Sequence, residues 1–371
     1  MVHKTLNYVT YQSFPAETAN SLQTISQIQE FVMQGLNVNL YFPLRELNSS
    51  GDTNKLFEFY DVKNTFNVYG LLHNYPFGKF QKFNKIWYHI SHFLWSKKIS
   101  GTFSYSKRGD ELFFTRSDWL LYFLSKKQFN IVFECHQYSK LRNFLLKKIA
   151  HQPNVKIIFL NDLIKNAFNI EFYNYLIAPS AVDKDMFLEL ETSSKEKNSI
   201  IFVGNLLRFG KSRNIDELIE LFTNNSNLQQ FQLIIVGGPD IEAVRLNEKI
   251  VNQSIKNVKI LGRKKRSEVF ELLKKAEYGV LINSNDKHSK NYTSPLKYFE
   301  YLAAELKVLA IDYPSHKKLP FQENIFYFSE DLEESFLHAL NLASQTDFKQ
   351  IDKNQISLET RTKKILELYS K

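Results

Sequence analysis

The sequence predicts an α/β protein of two tandem Rossmann-like, doubly wound domains with a ligand cleft between them. Short apolar runs typical of buried parallel strands alternate with helical stretches along the chain. The alternation stops at the polar segment Glu191–Asn198 and then starts again. The chain has 371 residues, enough for about two domains, and 43% are hydrophobic, so each half can form its own core.

The first half opens with a predicted strand, Leu6–Thr10, and an amphipathic helix, Ser21–Gln34, which ends at Gly35. Further strands of this half are predicted at Val38–Phe42, Leu112–Thr115, Ile131–Glu134, Ile157–Leu160 and Tyr175–Ala178. Those of the second half are predicted at Ile200–Val203, Leu233–Val236, Val258–Leu261, Val280–Ile282 and Val308–Ile311. We therefore predict one domain at 1–185, a second at 198–350, and a final segment, 351–371, whose helix packs back on the first domain.

Composition and charge restrict the class of protein. Cys135 is the single cysteine, which excludes an internal disulfide framework and fits a reducing compartment. The N-terminus does not resemble a signal peptide, and no run reaches about 18 apolar residues, so we expect a cytoplasmic protein. The net charge of +9 suits an anionic partner such as nucleic acid, lipid or a phosphorylated ligand.

Segment 79–98 combines lysines with aromatic and aliphatic residues. Ile86, Ile90, Phe93 and Leu94 fall on one face of a predicted helix that also carries Trp87 and Trp95. A basic, tryptophan-bearing amphipathic helix suits an anionic membrane surface, which would make the protein peripheral on the inner face of a membrane. An ordinary helix docked on its own core explains the same pattern, and both interpretations stay open.

The run Ser294–Ala304 is the most informative part of the chain. It follows a predicted strand and a polar loop, and it opens a helix in whose first turn Pro295 is well placed. The start of this helix comprises Thr293, Ser294, Pro295 and Leu296, and all of these residues except the proline have a backbone N–H group. Free N–H groups and the positive dipole end attract phosphate there. Lys297 and Glu300 project from one face of the first turn, so the site suits a diphosphate next to ribose hydroxyls.

Other strand ends of the second half carry glycines and cations. The loop Gly204–Ser212 nearly matches a P-loop but has five residues between its glycines instead of four, so its cations are the better signal. Arg208, Lys211 and Arg213 are candidates to bind a diphosphate, and which of them does so stays open. Gly237 follows the next strand, where it can bring backbone close to a ligand, and Arg263 follows the strand after that. Parallel strand ends share one edge of a sheet.

In the first half, His136 follows a strand and could donate a hydrogen bond or act as an acid or base. A structural role for this histidine is the alternative. The sequence predicts no metal site. Asp183-Lys184-Asp185 is interpreted as surface charge, and His89 and His92 share a helix face without a third ligand nearby.

With these residues in view, the chain resembles the family 4 glycosyltransferases of GT-B fold over most of its length. The matching segments are Tyr11–Ser21, Phe133–His136, Ile177–Phe187 and, most specifically, the donor helix Ser294–Ala304. Three positions depart from the family pattern: Ala181 replaces a glycine, Asn205 replaces an arginine, and Tyr292 stands where many relatives have a first glutamate.

The resemblance implies an enzyme that transfers a sugar, with retention and without a metal or cofactor, from a UDP- or GDP-linked donor. The acceptor would be a glycan or lipid-linked molecule, as in cell-surface polysaccharide or glycolipid biosynthesis. It implies catalytic roles for His136, Lys211 and Glu300, donor contacts from the second half, with Arg263 near the base, and an acceptor near Glu17 and Thr18. Two alternatives remain: a nucleotide-sugar epimerase or phosphorylase of the same fold, and a non-catalytic basic protein that binds nucleic acid or lipid.

Overall fold

The structure is a computed structural model that describes residues 5–16, 18–44, 51–75, 84–103, 111–183, 194–208 and 211–370. The chain forms two compact units. Unit 1 comprises Met1–Ala178 and Leu358–Lys371, and unit 2 comprises Pro179–Ser357. The described residues 179–183 and 351–357 thus belong to unit 2, whereas the sequence assigned the first stretch to the N-terminal domain and the second to the final segment.

Unit 1 contains a parallel seven-stranded sheet in the order β3-β2-β1-β4-β5-β6-β7. Its strands are β1 Thr5–Val9, β2 Asn37–Leu44, β3 Asn67–Leu72, β4 Glu111–Thr115, β5 Asn130–Cys135, β6 Val155–Phe159 and β7 Tyr175–Ile177. Six of the seven were expected at nearly these positions. Strand β3 was not predicted; it lies at the sheet edge, and its residues are exposed or half-buried.

The helices described in unit 1 are α1 Ala19–Met33, α2 Thr53–Tyr60, α3 Asn84–Thr102, α4 Asp118–Lys126, α5 Lys140–Ile149, α6 Asp162–Ala167 and, at the end of the chain, α13 Leu358–Ser370. Helix α1 begins where Thr18 Oγ1 accepts a hydrogen bond from the Ser21 N–H at 3.1 Å, and Gly35 follows it with φ +85°. Helix α13 packs against α1, β6 and β7, so the last helix belongs to unit 1.

Unit 2 contains a parallel six-stranded sheet in the order β12-β11-β8-β13-β14-β15. These strands are β8 Ser199–Val203, β11 Gln232–Val236, β12 Val258–Ile260, β13 Tyr278–Leu281, β14 Lys307–Ile311 and β15 Ile325–Phe328, and β9 Leu207–Arg208 pairs antiparallel with β10 Lys211–Ser212. The expected loop 204–212 therefore contains a small hairpin. The edge strand β15 was not predicted.

The helices described in unit 2 are α7 Ile215–Asn224, α8 Asp240–Asn252, α9 Arg266–Lys275, α10 Lys287–Asn291, α11 Leu296–Ala303 and α12 Leu332–Ser344. Strand β8 shows why this sheet is covered on both faces: Ile200 and Phe202 pack in one apolar cluster, whereas Ile201 and Val203 pack in another. Among the described helices of the chain, none is long and apolar enough to span a bilayer.

Candidate functional site

The loops after β8, β11 and β12 meet at the carboxyl edge of the unit 2 sheet. The N–H of Gly204 donates to Val236 O at 2.9 Å, and the N–H of Gly237 donates to Gly262 O at 2.8 Å. A Cβ added to Gly237 would lie 1.7 Å from the carbonyl oxygen of Gly204, so only glycine fits. Gly237 was predicted to bring backbone close to a ligand. In the structure it brings two loops together, and its own N–H is already used.

Two arginines lie on this edge. Arg213 Nη2 donates to the Asn283 side-chain oxygen at 2.8 Å, and Nη1 donates to Asn205 O at 3.2 Å. Arg213 thus joins the loop after β8 to the loop after β13. Arg263 crosses Gly238, where an added Cβ would lie 2.3 Å from Arg263 Nε. Their positive charges are therefore placed at neighbouring strand ends, as parallel topology requires.

Arg208 and Lys211 face each other across the β9–β10 hairpin. Their backbones belong to the described structure, but their side chains lie outside it. Glu17, predicted to face the acceptor, also lies outside the described residues. Thr18 is exposed and caps α1.

Helix α11 begins one residue later than expected, at Leu296. Pro295 is the N-cap, with φ −66° and ψ 124°, and lies just before the first turn instead of within it. A proline side chain has no hydrogen-bond acceptor, so no side chain of the N-cap residue caps the first turn, although the Tyr298 N–H donates to Pro295 O at 3.2 Å. The N–H groups of the first turn and the helix dipole are what an anion binds.

The residues before α11 are held by hydroxyl hydrogen bonds within unit 2. Ser294 Oγ accepts from the Ser180 N–H at 2.8 Å, and Ser180 Oγ donates to Ser294 O at 2.6 Å. Thr293 Oγ1 donates to Ser289 O at 3.0 Å. The Ser294 side chain is therefore a tether to the 179–183 segment, a role that the sequence did not indicate because the two serines are far apart in the chain.

Lys297 and Glu300 form the pair expected from their spacing. Lys297 Nζ lies 2.5 Å from Glu300 Oε2, and the side chains are 33% and 6% exposed. The carboxylate is thus almost buried, and its ammonium partner is in contact with solvent. A buried acceptor with one cationic neighbour keeps lone pairs for further donors such as hydroxyl groups.

Tyr301, which the sequence analysis did not single out, fixes helix α11 against the sheet. Its hydroxyl accepts from the Val203 N–H at 3.0 Å and donates to Val280 O at 3.2 Å. Its ring covers Gly279, where an added Cβ would lie 2.5 Å from Tyr301 Cδ2. The isolated glycine in a strand, Gly279, was the available signal for such a close approach. Tyr292, at the departure from the family pattern, is 8% exposed.

In unit 1, His136 follows β5 beside a buried carboxylate. His136 Nε2 lies 3.0 Å from Glu134 Oε2, and the side chains are 29% and 1% exposed. Arg116 Nε donates to the same Oε2 at 2.5 Å, and Arg361 Nη2 donates to Oε1. Burial would raise the pKa of Glu134, but the guanidinium groups of Arg116 and Arg361 outweigh it and hold that pKa well below its usual range.

The pKa of His136 is lowered by burial and by the Arg116 guanidinium, against the opposing effect of Glu134. The imidazole is therefore neutral near pH 7. A neutral, partly exposed imidazole can donate one hydrogen bond to a hydroxyl oxygen or accept one from a hydroxyl O–H.

Segment 79–98 is described from residue 84 onward. Ile86, Ile90 and Leu94 are 65%, 43% and 36% exposed on successive turns of α3, and we call these three residues the α3 stripe. Trp95, expected on an interfacial helix, is instead 1% exposed and packs in unit 1 with its ring 5.8 Å from that of Tyr11. The face of α3 that carries Trp95 packs in the core of unit 1, whereas the α3 stripe leaves a second apolar face exposed.

Among the residues that the structure describes, no group of three histidine, cysteine or carboxylate side chains is arranged to hold a metal ion. Asp183 Oδ2 lies 3.9 Å from Arg266 Nη2. His92 is 7% exposed and its Nε2 contacts Ser117 Oγ, whereas His89 is exposed. The two histidines therefore differ in environment.

Residues 197–344 match the family model described as glycosyl transferases group 1. Solved structures match over almost the whole chain. A glycosyltransferase from Rickettsia africae ESF-5 superposes with a TM-score of 0.68 at 14% identity, covering 99% of this chain and 98% of that one. Sucrose-phosphate synthase from Thermosynechococcus elongatus gives 0.69 at 13% identity, with the same coverage. The lipopolysaccharide outer core galactosyltransferase WaaB gives 0.64 at 13% identity, with 98% of each chain covered.

None of the curated proteins matches this chain. The two parallel sheets and the full-length superpositions confirm the expected α/β GT-B fold. The predicted resemblance to family 4 glycosyltransferases of GT-B fold is likewise confirmed, through the group 1 match over residues 197–344 and the GT-B fold of the superposed structures.

Proposed function

We propose that this chain, with its GT-B fold and its group 1 glycosyltransferase segment, is a retaining glycosyltransferase. It moves a sugar from a UDP- or GDP-linked donor to a glycan or lipid-linked acceptor in the synthesis of a cell-surface polysaccharide or glycolipid. The observation that carries the proposal is the start of α11 at the carboxyl edge of the unit 2 sheet. Three features there match the parts of a nucleoside diphosphate. The first turn without a side-chain cap and the loop arginines suit the diphosphate, and the Lys297–Glu300 pair suits the ribose hydroxyls.

The donor's diphosphate binds the first-turn N–H groups of α11 together with Arg213 and the side chains of Arg208 and Lys211. Glu300 accepts hydrogen bonds from the ribose hydroxyls, and Arg263 lies near the base. When the bond from the sugar to the diphosphate breaks, negative charge grows on the departing phosphate. Fixed cations and N–H groups stabilise this charge more in the transition state than in the ground state, which accelerates transfer. The proposed reaction uses no metal or cofactor.

We assign the acceptor to unit 1, near Glu17 and Thr18, with His136 as the polar group that touches the transferred sugar or the acceptor. The burial of Glu134 against two guanidinium groups supports this assignment, because strongly perturbed charged groups cluster at functional sites. Two solved structures of similar fold support the kind of substrate: one is a trehalose-6-phosphate protein from E. coli bound with UDP-2-fluoro glucose, and another is the pneumococcal O-GlcNAc transferase GtfA in complex with UDP and GlcNAc.

We further propose that the protein is peripheral on the inner face of a membrane, bound through α3. The α3 stripe exposes three aliphatic side chains on one face, and Lys97 and Lys98 follow it in exposed positions. Leu72, 73% exposed, adjoins this helix through the hydrogen bond from Lys98 Nζ to its carbonyl oxygen at 3.0 Å. Apolar side chains flanked by lysines suit an anionic bilayer surface, where a lipid-linked acceptor would be reached.

A donor screen tests the proposed transfer. The purified protein is incubated with UDP- and GDP-linked sugars, with and without extracts of glycolipid acceptors and with EDTA present, and release of nucleoside diphosphate is measured. We expect release from one donor that depends on the acceptor and persists in EDTA. NMR of the product should show the donor's anomeric configuration. An inverted product would refute retention, and isomerisation or phosphorolysis of the donor without acceptor would favour an epimerase or phosphorylase.

A further inference from the structure

The C-terminal helix brings a buried cation to the polar cluster beside His136. Arg361 on α13 is 8% exposed, and its Nη1 donates to Gln27 Oε1 of α1 at 2.8 Å. Its Nη2 donates to Glu134 Oε1 and lies 3.4 Å from Ala178 O. One guanidinium thus joins three parts of unit 1. Burying a cation costs free energy unless the cation is paired and hydrogen-bonded, as Arg361 is with Glu134.

The two oxygens of Glu134 have different partners. Oε1 accepts from Arg361, while Oε2 lies between Arg116 Nε at 2.5 Å and His136 Nε2 at 3.0 Å. Two guanidinium groups therefore face one carboxylate. Their combined charge keeps that carboxylate ionised although it is buried.

An ionised Glu134 determines which nitrogen of His136 carries the proton. A deprotonated Nε2 would place its lone pair 3.0 Å from a carboxylate oxygen, and the two would repel each other. The proton is therefore favoured on Nε2, and Nδ1 is left as an acceptor. The Nε2 atom is buried and has no hydrogen-bond partner among the described residues, so its 3.0 Å contact with Glu134 Oε2 is an electrostatic one, and because 29% of the side chain is exposed the accessible part of the ring lies away from Glu134.

The charged and titratable groups around the imidazole come from four elements. Strand β5 contributes Glu134, the end of β4 contributes Arg116, α13 contributes Arg361 and β1 contributes Tyr8, whose phenol stays neutral because burial raises its pKa. Helix α1 contributes only uncharged side chains to the hydrogen bonds of the two arginines, namely Asn20, Thr24 and Gln27. The cations outnumber the carboxylate, which opposes protonation of the ring.

We propose that Arg361 is a positioning residue for His136: it holds Glu134 ionised, and that carboxylate keeps the imidazole in the Nε2–H form with Nδ1 as hydrogen-bond acceptor for a sugar hydroxyl. The proposal rests on the proposed function, in which His136 touches the transferred sugar or the acceptor. It gives the C-terminal helix, far from β5 in the sequence, a direct effect on the chemistry of that histidine.

The test is NMR of the imidazole nitrogens in protein labelled with ¹⁵N-histidine, with the His136 signals identified from their loss in His136→Gln. The variants are Arg361→Gln, Arg361→Lys and, as a matched control, Lys363→Gln. Lys363 is on the same helix and pairs with Glu359 at 2.6 Å, but it is 53% exposed. The control removes one positive charge from α13 without touching the cluster.

We expect a neutral Nε2–H tautomer in the unmodified protein. In Arg361→Gln the titration of His136 should move to higher pH, because a nearby cation has been removed. The acid limb of the pH–rate profile should move with it, and kcat should fall about 100-fold, the scale of a misplaced reacting group, with little change in KM for the donor. Arg361→Lys should restore part of the rate, and Lys363→Gln should resemble the unmodified protein.

An Nδ1–H tautomer in the unmodified protein would overturn the proposal even if Arg361→Gln did not fold. An unchanged His136 titration in a folded Arg361→Gln or Arg361→Lys, identical to that in Lys363→Gln, would also overturn it. Absence of sugar transfer from every donor in the unmodified protein would instead refute the proposed function, since the NMR measurement does not depend on turnover.

Discussion

Replacing Glu300 tests the assignment of the ribose contact, the part of the donor site most directly tied to α11. The carboxylate is almost buried and lies 2.5 Å from Lys297 Nζ. Glu300→Gln keeps the size and one acceptor oxygen but removes the charge, while Glu300→Ala removes the acceptor altogether. Both leave the first-turn N–H groups and the loop arginines in place.

The magnitude follows from hydrogen bonds made by a charged acceptor. Such a bond contributes about 1.5–3 kcal/mol, which corresponds to a change of roughly 10- to 150-fold in Kd. We therefore expect Glu300→Ala to weaken binding of a nucleoside diphosphate by about 100-fold and Glu300→Gln by about tenfold. The stability cost should stay near 1 kcal/mol, because Lys297 is 33% exposed and can be hydrated once its partner is lost.

Isothermal titration calorimetry with UDP, GDP and inorganic pyrophosphate measures these effects. Pyrophosphate has no ribose, so its affinity should be the same in Glu300→Ala as in the unmodified protein. Glu271→Ala is the matched control, since Glu271 also pairs with a lysine three residues away but is 64% exposed on α9. If Glu300→Ala binds UDP and GDP within about twofold of the unmodified protein, or loses pyrophosphate affinity equally, the ribose assignment is refuted.

Three further predictions concern packing, pH and membranes. Gly279→Ala should lower the free energy of unfolding, measured in urea, by about 1–3 kcal/mol because the added Cβ would overlap the Tyr301 ring. Gly101→Ala should not, because a Cβ added there has no atom within 4 Å. Equal effects of the two substitutions would contradict the contact. Burial lowers the pKa of His316 to about 4 from a usual 6.5. The contribution of the neutral imidazole to the free energy of unfolding is therefore complete above pH 6.5 and should fall by about 3 kcal/mol as the pH is lowered towards 4. The decrease with pH should be smaller in His316→Asn, and an equal decrease would contradict the assignment. Serine at all three positions of the α3 stripe should reduce co-sedimentation with anionic liposomes, while serine at three apolar positions of α8 that are even more exposed should not. Equal retention of binding by both variants would refute attachment through α3. The α8 control positions are Ile241, Val244 and Val251.

Much of the fold could be predicted from local sequence because its signals are local. The four apolar residues of β8, Ile200–Val203, lie within one short segment, and burial on both faces of a parallel sheet makes such runs conspicuous. Strands β3 and β15 lie at sheet edges, where one side of the strand lacks a neighbour, and several of their positions are exposed or half-buried although most of their residues are apolar or aromatic. Their assignment depended on the strands beside them.

The candidate donor site could be predicted for the same reason, since Pro295, Lys297 and Glu300 are close in sequence at the start of one helix. What holds that turn in place could not be found in this way. Tyr301 bonds the backbone of Val203, which is 98 residues away, and Arg213 bonds Asn283, which is 70 residues away. Periodicity carries no information about such pairs, because it records which side of an element is buried and not which side chain it meets.

The sequence by itself determined the α/β class, the order of most strands and the helix start at which we propose that a nucleoside diphosphate binds. Only the tertiary structure showed that Trp95 lies in the core and that Arg361, 227 residues from Glu134, completes the charges beside His136. The physical reason is that strand and helix patterns arise from burial of neighbouring residues, whereas the ionisation of a buried carboxylate depends on every charge that the fold brings within a few ångströms of it.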